Sequence, residues 1–287
     1  DGSPSLFELS LGDWKPVFAD AARESFEDNL ALVSAGVGFY IFVAIMPLLA
    51  AAVMIYGIAT DTATVVRQVS ALATVLPNSA ADLIGQAMKA VVVQSKGKSG
   101  LGLAFAFALA MFWARNAAAG LIAGLGMAYE REDQRGILKL TGISLLLTLI
   151  AIAAGGVIVG AIFVLTFLGS FVPGVVSGSV VVVHVATYIV LLLAGMAAAA
   201  TLYRYAPDGA EPRWQWISPG SVFSGVWWVL LTLGFAVYIN NWGNYDATYG
   251  PLSAVIVLLT WLWLGAYVLL FGAELNWSAR ECARGKK

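Results

Sequence analysis

The sequence predicts an all-α membrane protein: a polytopic helix bundle crossing the bilayer about six times, with short amphipathic helices at the interface. Three observations carry this. First, 60% of the 287 residues are hydrophobic and only 11% are charged, whereas a soluble domain carries roughly 25% charged residues. A soluble fold so poor in charge has too few polar groups to cover its surface. Second, the mean hydropathy is +0.83. Third, the apolar residues gather in stretches long enough to cross a hydrocarbon core of ~30 Å, which takes about 20 residues.

Residues 1–29 read as a cytoplasmic amphipathic lead-in. Trp14, Val17, Phe18, Ala21, Ala22 and Phe26 fall near helical spacing, so one face suits either the membrane surface or a place under the bundle. No cleavable leader is visible, because these residues are mixed polar and lack an apolar core segment. Six apolar stretches follow, at 31–59, 101–128, 140–168, 180–203, 219–240 and 252–275. Tyrosines and tryptophans such as Tyr129, Tyr203, Trp242 and Trp277 gather near their ends, as an interfacial aromatic belt predicts.

Residues 61–100 break the pattern. Leu76-Pro77-Asn78 divides them into two weakly amphipathic halves, neither apolar enough to span. The spacing predicts two short extracytoplasmic interfacial or re-entrant helices, with a turn over 96–100. Residues 278–287 are a polar tail. With the N-terminus placed inside, eleven of the sixteen Lys and Arg residues fall in cytoplasmic segments and only Arg67, Lys89, Lys96 and Lys98 outside. The positive-inside rule therefore predicts both termini in the cytoplasm. Gly120 with Gly124, and Gly156 with Gly160, have the spacing that lets helices approach closely.

Counting excludes several chemistries. A net charge of −1 gives no basic field for nucleic acid. One cysteine, Cys282, makes no internal disulfide, and one histidine, His184, makes no metal cluster; His184, lying among valines, reads as a packed or helix-end residue. No phosphate-cradling glycine loop and no nucleophile elbow are present. No enzyme activity, metal or cofactor is expected.

Arg115 is the most informative residue. It sits in Met111-Phe112-Trp113-Ala114-Arg115-Asn116, about fourteen residues or ~21 Å from either end of its span. A guanidinium there costs several kcal/mol unless it meets a partner or a wet cavity. Two readings stand. Arg115 and Asn116 form a polar site on a substrate or ion pathway, or Arg115 bonds main-chain carbonyls freed by a kink. Pro47 supplies such a kink, since it cannot donate to the carbonyl of Val43.

Glu274 lies near Arg280 and Arg284, which suits an interfacial ion pair, with a proton-relay role as the alternative. Asp246 suits a turn capping the last span, or a contact at the outer face. Pro207-Asp208-Gly209 is a turn signature. Ser218-Pro219 reads as an N-cap followed by proline at the first helical position.

Several blocks together resemble the YihY/BrkB family of bacterial inner-membrane proteins. They are Gly36, Phe39-Tyr40 and Met46-Pro47-Leu48-Leu49; Ala128-Tyr129-Glu130-Arg131-Glu132; Leu202-Tyr203-Arg204-Tyr205-Ala206-Pro207-Asp208-Gly209; Trp214-Gln215-Trp216; Ser218-Pro219-Gly220; Tyr249-Gly250-Pro251-Leu252; Trp261-Leu262-Trp263; and Leu270-Phe271-Gly272-Ala273-Glu274-Leu275-Asn276. The likeness covers roughly residues 14–277. It implies about six spans and an inner-membrane location. The family's old ribonuclease label does not suit this chain, which has no ligands for a metal-dependent nuclease. Links of other members to envelope lipids imply, by analogy, a transporter or flippase-like protein for a lipid-like or anionic amphiphile. Membrane lipids are the expected partners, and Arg115, Asn116, Asp246 and Glu274 the pathway candidates. A non-catalytic scaffold for envelope assembly is the alternative.

Overall fold

The computed structural model describes residues 9–10, 12–59, 78–131, 134–136, 138–150, 178–208, 217–242 and 252–285. Every regular element among them is a helix: α1 (Trp14–Glu27), α2 (Leu30–Ala59), α3 (Asn78–Ala128), α4 (Leu138–Ile150), α5 (Gly178–Tyr205), α6 (Pro219–Trp242) and α7 (Leu252–Ala283). Four contain stretches long and apolar enough to cross a membrane: Leu30–Leu48, Gly100–Ala128, Tyr188–Tyr205 and Val255–Ala283. The fold class expected from the sequence is therefore present.

Two boundaries differ from expectation. α3 runs unbroken through 96–100, where a turn was predicted. Two glycines cost a helix only about 1 kcal/mol each, and no proline follows to stop it. α7 continues eight residues past 275, to Ala283, because its last turns have a partner. α1 packs along them, burying Val17 and Ala21 against Leu275 and Ala279, and Ser25 Oγ meets Tyr267 Oη at 3.0 Å. Val17, Ala21 and Ser25 recur every four residues, so they share one helical face. The apolar face expected for α1 is thus divided. Val17 and Ala21 lie under the bundle, while Phe18 and Phe26 stay exposed.

α1 stops at Asn29, which takes φ = 53°, a left-handed conformation that asparagine tolerates better than most residues. α3 ends in a Schellman turn: Arg131 N donates to Gly126 O and Glu130 N to Met127 O, with Glu130 at φ = 48° where glycine is usual. α6 opens as the sequence predicts. Ser218 Oγ accepts from Ser221 N at 3.1 Å and Ser221 Oγ from Ser218 N at 2.9 Å, a reciprocal cap with Pro219 at the first helical position.

The chain divides into two compact units. One is residues 41–114, the later part of α2 and the earlier part of α3. It buries Ala44, Ala51, Ala106 and Ala110 while exposing Met46, Phe105, Phe107 and Phe112. Small residues inside and large apolar ones outside is the arrangement lipid favours.

The other unit is residues 1–40 and 115–287. Its core joins Leu30, Ile122, Leu125, Tyr129, Ala206, Leu270 and Ala273. The Gly120–Gly124 pair acts in packing, since Cβ atoms there would press on Val37, Val33 and Leu270. Gly156, Gly160, Asp246 and residues 61–77 lie outside the described residues.

Candidate functional site

Arg115 is half-buried in α3. Its Nη1 donates to Asn116 Oδ1 at 3.0 Å and its Nη2 to Thr141 Oγ1 at 2.9 Å. Both bonds go to side chains rather than to the carbonyls that a kink at Pro47 was expected to offer. Neither acceptor is charged, so these two bonds bring the guanidinium no counter-charge. Its Nε is buried and unbonded among the described residues. A buried donor of a charged group normally finds an acceptor.

Thr141 sits in the first turn of α4, whereas Arg115 lies thirteen residues before the end of α3, about 20 Å along it. Even after the reach of an arginine is subtracted, α4 starts inside the stretch that α3 spans. The inward side of α4 is mixed: Leu140, Ile143 and Leu147 pack on the core, and next to them Ser144 and Thr148 are buried with Thr141 beside them. Thr148 Oγ1 donates to Ser144 O at 2.8 Å, but Ser144 Oγ has no partner among the described residues. The connector before α4 is tied to the end of α5, where Pro207-Asp208 turns. Arg135 Nη2 donates to Ala206 O at 2.6 Å, and Arg131 Nη1 to Asp208 O at 3.1 Å.

Glu274 occupies a different setting. It is 1% exposed, and its Oε1 has no hydrogen-bond partner among the described residues. The charges that act on it are carboxylates, those of Asp28, Glu24, Glu130 and Asp20. The expected ion pair with the C-terminal arginines does not form. Arg284 pairs with Glu281 at 3.6 Å, and Arg280 stacks over the Tyr129 ring at 5.8 Å. In the nearby α1–α2 turn, burial first and then Glu24, Glu130 and Glu27 push the Asp28 carboxyl above the ordinary carboxylate range. Its ionisation therefore opposes folding, and its favourable contribution fades as pH rises out of the acid range.

Beside Glu274 the backbones of α6 and α7 touch. A Cβ on Gly272 would overlap Ser224 Oγ, Tyr203 Oη and Gly220 O, and a Cβ on Gly220 would overlap Gly272 O and the Asn276 side chain. The close approach admits a buried polar network. Tyr203 Oη donates to Leu269 O and meets Ser224 Oγ, each at 2.7 Å. Asn276 Oδ1 accepts from Gly220 N at 2.8 Å, and its Nδ2 donates to Tyr129 Oη at 3.3 Å. Tyr129, Tyr203 and Trp277 pack edge to face, with centroids 6.4–6.5 Å apart. These aromatic residues, which the sequence places near span ends, cross-link helix ends.

The family model for the virulence factor BrkB matches residues 21–287. The chain belongs to the BrkB family. This BrkB protein is similar to the putative ribonuclease-like protein YfkH of Bacillus subtilis, 28% identical over 61% of this chain and 64% of YfkH. It is also similar to UPF0761 membrane proteins of Tolumonas auensis, 31% identical over 30% of each chain, and of Methylibium petroleiphilum, 33% identical over 47% of this chain and 28% of the relative. The chain spans less than two thirds of the length of each. No solved structure matches it.

The match takes in both the Arg115 and the Glu274 regions of this BrkB protein. Two expected results follow from the second. Asn276→Ala removes an acceptor and a donor from a buried network, and the fold is expected to lose about 2–3 kcal/mol, read as a lower thermal midpoint in detergent. Glu274→Gln removes a buried acid whose charged neighbours among the described residues are other acids. The fold is expected to gain about 1 kcal/mol; a midpoint below that of the parent protein would mean that the carboxylate has a counter-charge when folded.

Proposed function

We propose that this BrkB membrane protein moves a lipid-like or anionic amphiphile across or within the membrane, with Arg115 and Asn116 holding its head group. One observation carries the reading. Arg115 is an arginine inside a spanning helix, bonded only to neutral side chains, with its Nε buried and unbonded among the described residues. An arginine whose role is structural consumes its donors on protein acceptors. One poised on Asn116 and Thr141 keeps its charge and a free donor for an oxyanion, and a guanidinium fork matches phosphate or carboxylate.

The hydroxyls of Thr141, Ser144 and Thr148 support the same reading by giving the facing helix a polar stripe. Glu274, buried and orphaned on one oxygen, is the second polar position of the proposed pathway. Intramembrane ionisable residues mark such pathways by default. The positive-inside census supports termini in the cytoplasm.

Mass spectrometry of lipid retained through purification in mild detergent tests the proposal. The parent protein is expected to retain a defined anionic amphiphile, and Arg115→Ala to lose it. Equal amounts of bulk lipid in both would leave Arg115 structural and favour a scaffold.

A further inference from the structure

α6 and α7 touch at Gly220 and Gly272 and stay in contact further along, where Trp228 packs on Trp261 and Trp261 Nε1 donates to Thr232 Oγ1 at 3.4 Å. Alongside that seam lies a groove of about 550 Å³, with Trp227, Leu230, Phe235 and Ile256 on its walls. A groove of that volume is in the range of ligand sites.

The lining decides what fits. The Thr260 hydroxyl in it already donates to Ile256 O at 2.8 Å, and Tyr238 stacks its ring on Phe235, centroids 6.3 Å apart. None of the described residues that line it is charged, so these walls offer a head group no counter-charge. The wall residues Trp227, Leu230 and Ile256 are about half exposed, on apolar helices of a membrane protein. Gly234 leaves a notch in the wall, since a Cβ there would meet nothing within 4 Å. An occupant must therefore be apolar and slender, and must come from the bilayer.

We infer that the α6–α7 groove binds one acyl chain of a membrane amphiphile, seated over the notch at Gly234. This rests on the amphiphile reading and supplies the chain contact that reading lacks. A saturable chain site draws on close packing against Trp227 and Phe235, which free lipid at a convex helix surface does not have.

The notch also provides the test. Gly234→Leu fills the groove from open space, so the fold has no clash to absorb. Gly142→Leu, at another glycine whose Cβ would meet nothing within 4 Å, is the control. The probe is cis-parinaric acid, a fluorescent single-chain acid, read by energy transfer from tryptophan to the full chain in detergent. The parent protein and Gly142→Leu are expected to bind it saturably, one per chain, and Gly234→Leu at least tenfold more weakly. Leu230→Trp, which narrows the groove from an exposed wall, is expected to weaken it likewise and serves if Gly234→Leu does not fold.

Unchanged saturable binding in both groove variants, or no saturable binding in the parent protein, would overturn the inference. So would a dimer that Gly234→Leu dissociates, because a second copy would then be the occupant. The head-group reading fails separately: Arg115→Ala that retains its anionic lipid sinks that reading while leaving chain binding in the groove intact.

Discussion

Gly272→Ala is expected to prevent α6 and α7 from seating, with a loss of about 3 kcal/mol or more and no monodisperse peak in size-exclusion chromatography. The added methyl has three atoms in its way: the Gly220 carbonyl, Ser224 Oγ and Tyr203 Oη. Overpacking alone costs typically 1–3 kcal/mol. Here the displaced atoms also hold bonds. Tyr203 and Ser224 reach the carbonyls of Leu269 and Val268, and each buried bond lost adds about 1 kcal/mol. Gly36→Ala is the comparison, because a Cβ on Gly36 meets nothing within 4 Å. It is expected to leave the midpoint unchanged or raise it slightly through helix propensity. Equal behaviour of the two variants would mean that α6 and α7 do not approach as closely as Gly220 and Gly272 allow.

The largest functional effect is expected at Arg115. Leaflet exchange of a labelled anionic lipid, measured in proteoliposomes, is expected to fall at least a hundredfold in Arg115→Ala while the thermal midpoint stays near that of the parent. Charge alone is not enough. Arg115→Lys keeps the cation but cannot hold Asn116 and Thr141 together from one planar group, and a drop of about tenfold is expected. Thr141→Val removes the acceptor for Nη2 and is expected to fall by a similar factor, since a hydrogen bond to a charged group is worth about 1.5–3 kcal/mol. Normal exchange in Arg115→Ala would make the arginine structural.

Much of this arrangement was legible in the sequence for physical reasons. A charge deficit and long apolar runs report the solvent, and the solvent leaves helices as the main option. Ser218-Pro219 predicted the start of α6 because cap chemistry is local. Arg115 stood out because charge at that depth is costly. Thr141 did not, although Thr141, Ser144 and Thr148 share a helical face at i, i+3 and i+7; single hydroxyls carry little weight in an apolar run. Glu274 was read against the arginines nearest in sequence. Its surroundings instead come from α1, its turn and Glu130, groups well over a hundred residues away in the chain. Local spacing reports turns and caps, and it cannot report which distant helix folds back.

That fold-back has a consequence for how the chain is made. α1 leaves the ribosome first and α7 last among the described helices, yet Val17 and Ala21 are buried in one cluster with Leu275 and Ala279. Throughout synthesis α1 waits without its partner, its Phe18 and Phe26 turned outward and its length suited to rest at the membrane surface. Docking of α1 is therefore a post-insertion event, late and of high sequence separation. Among the described helices the first closes on the last, and protection of α1 from protease marks the moment at which the two have docked.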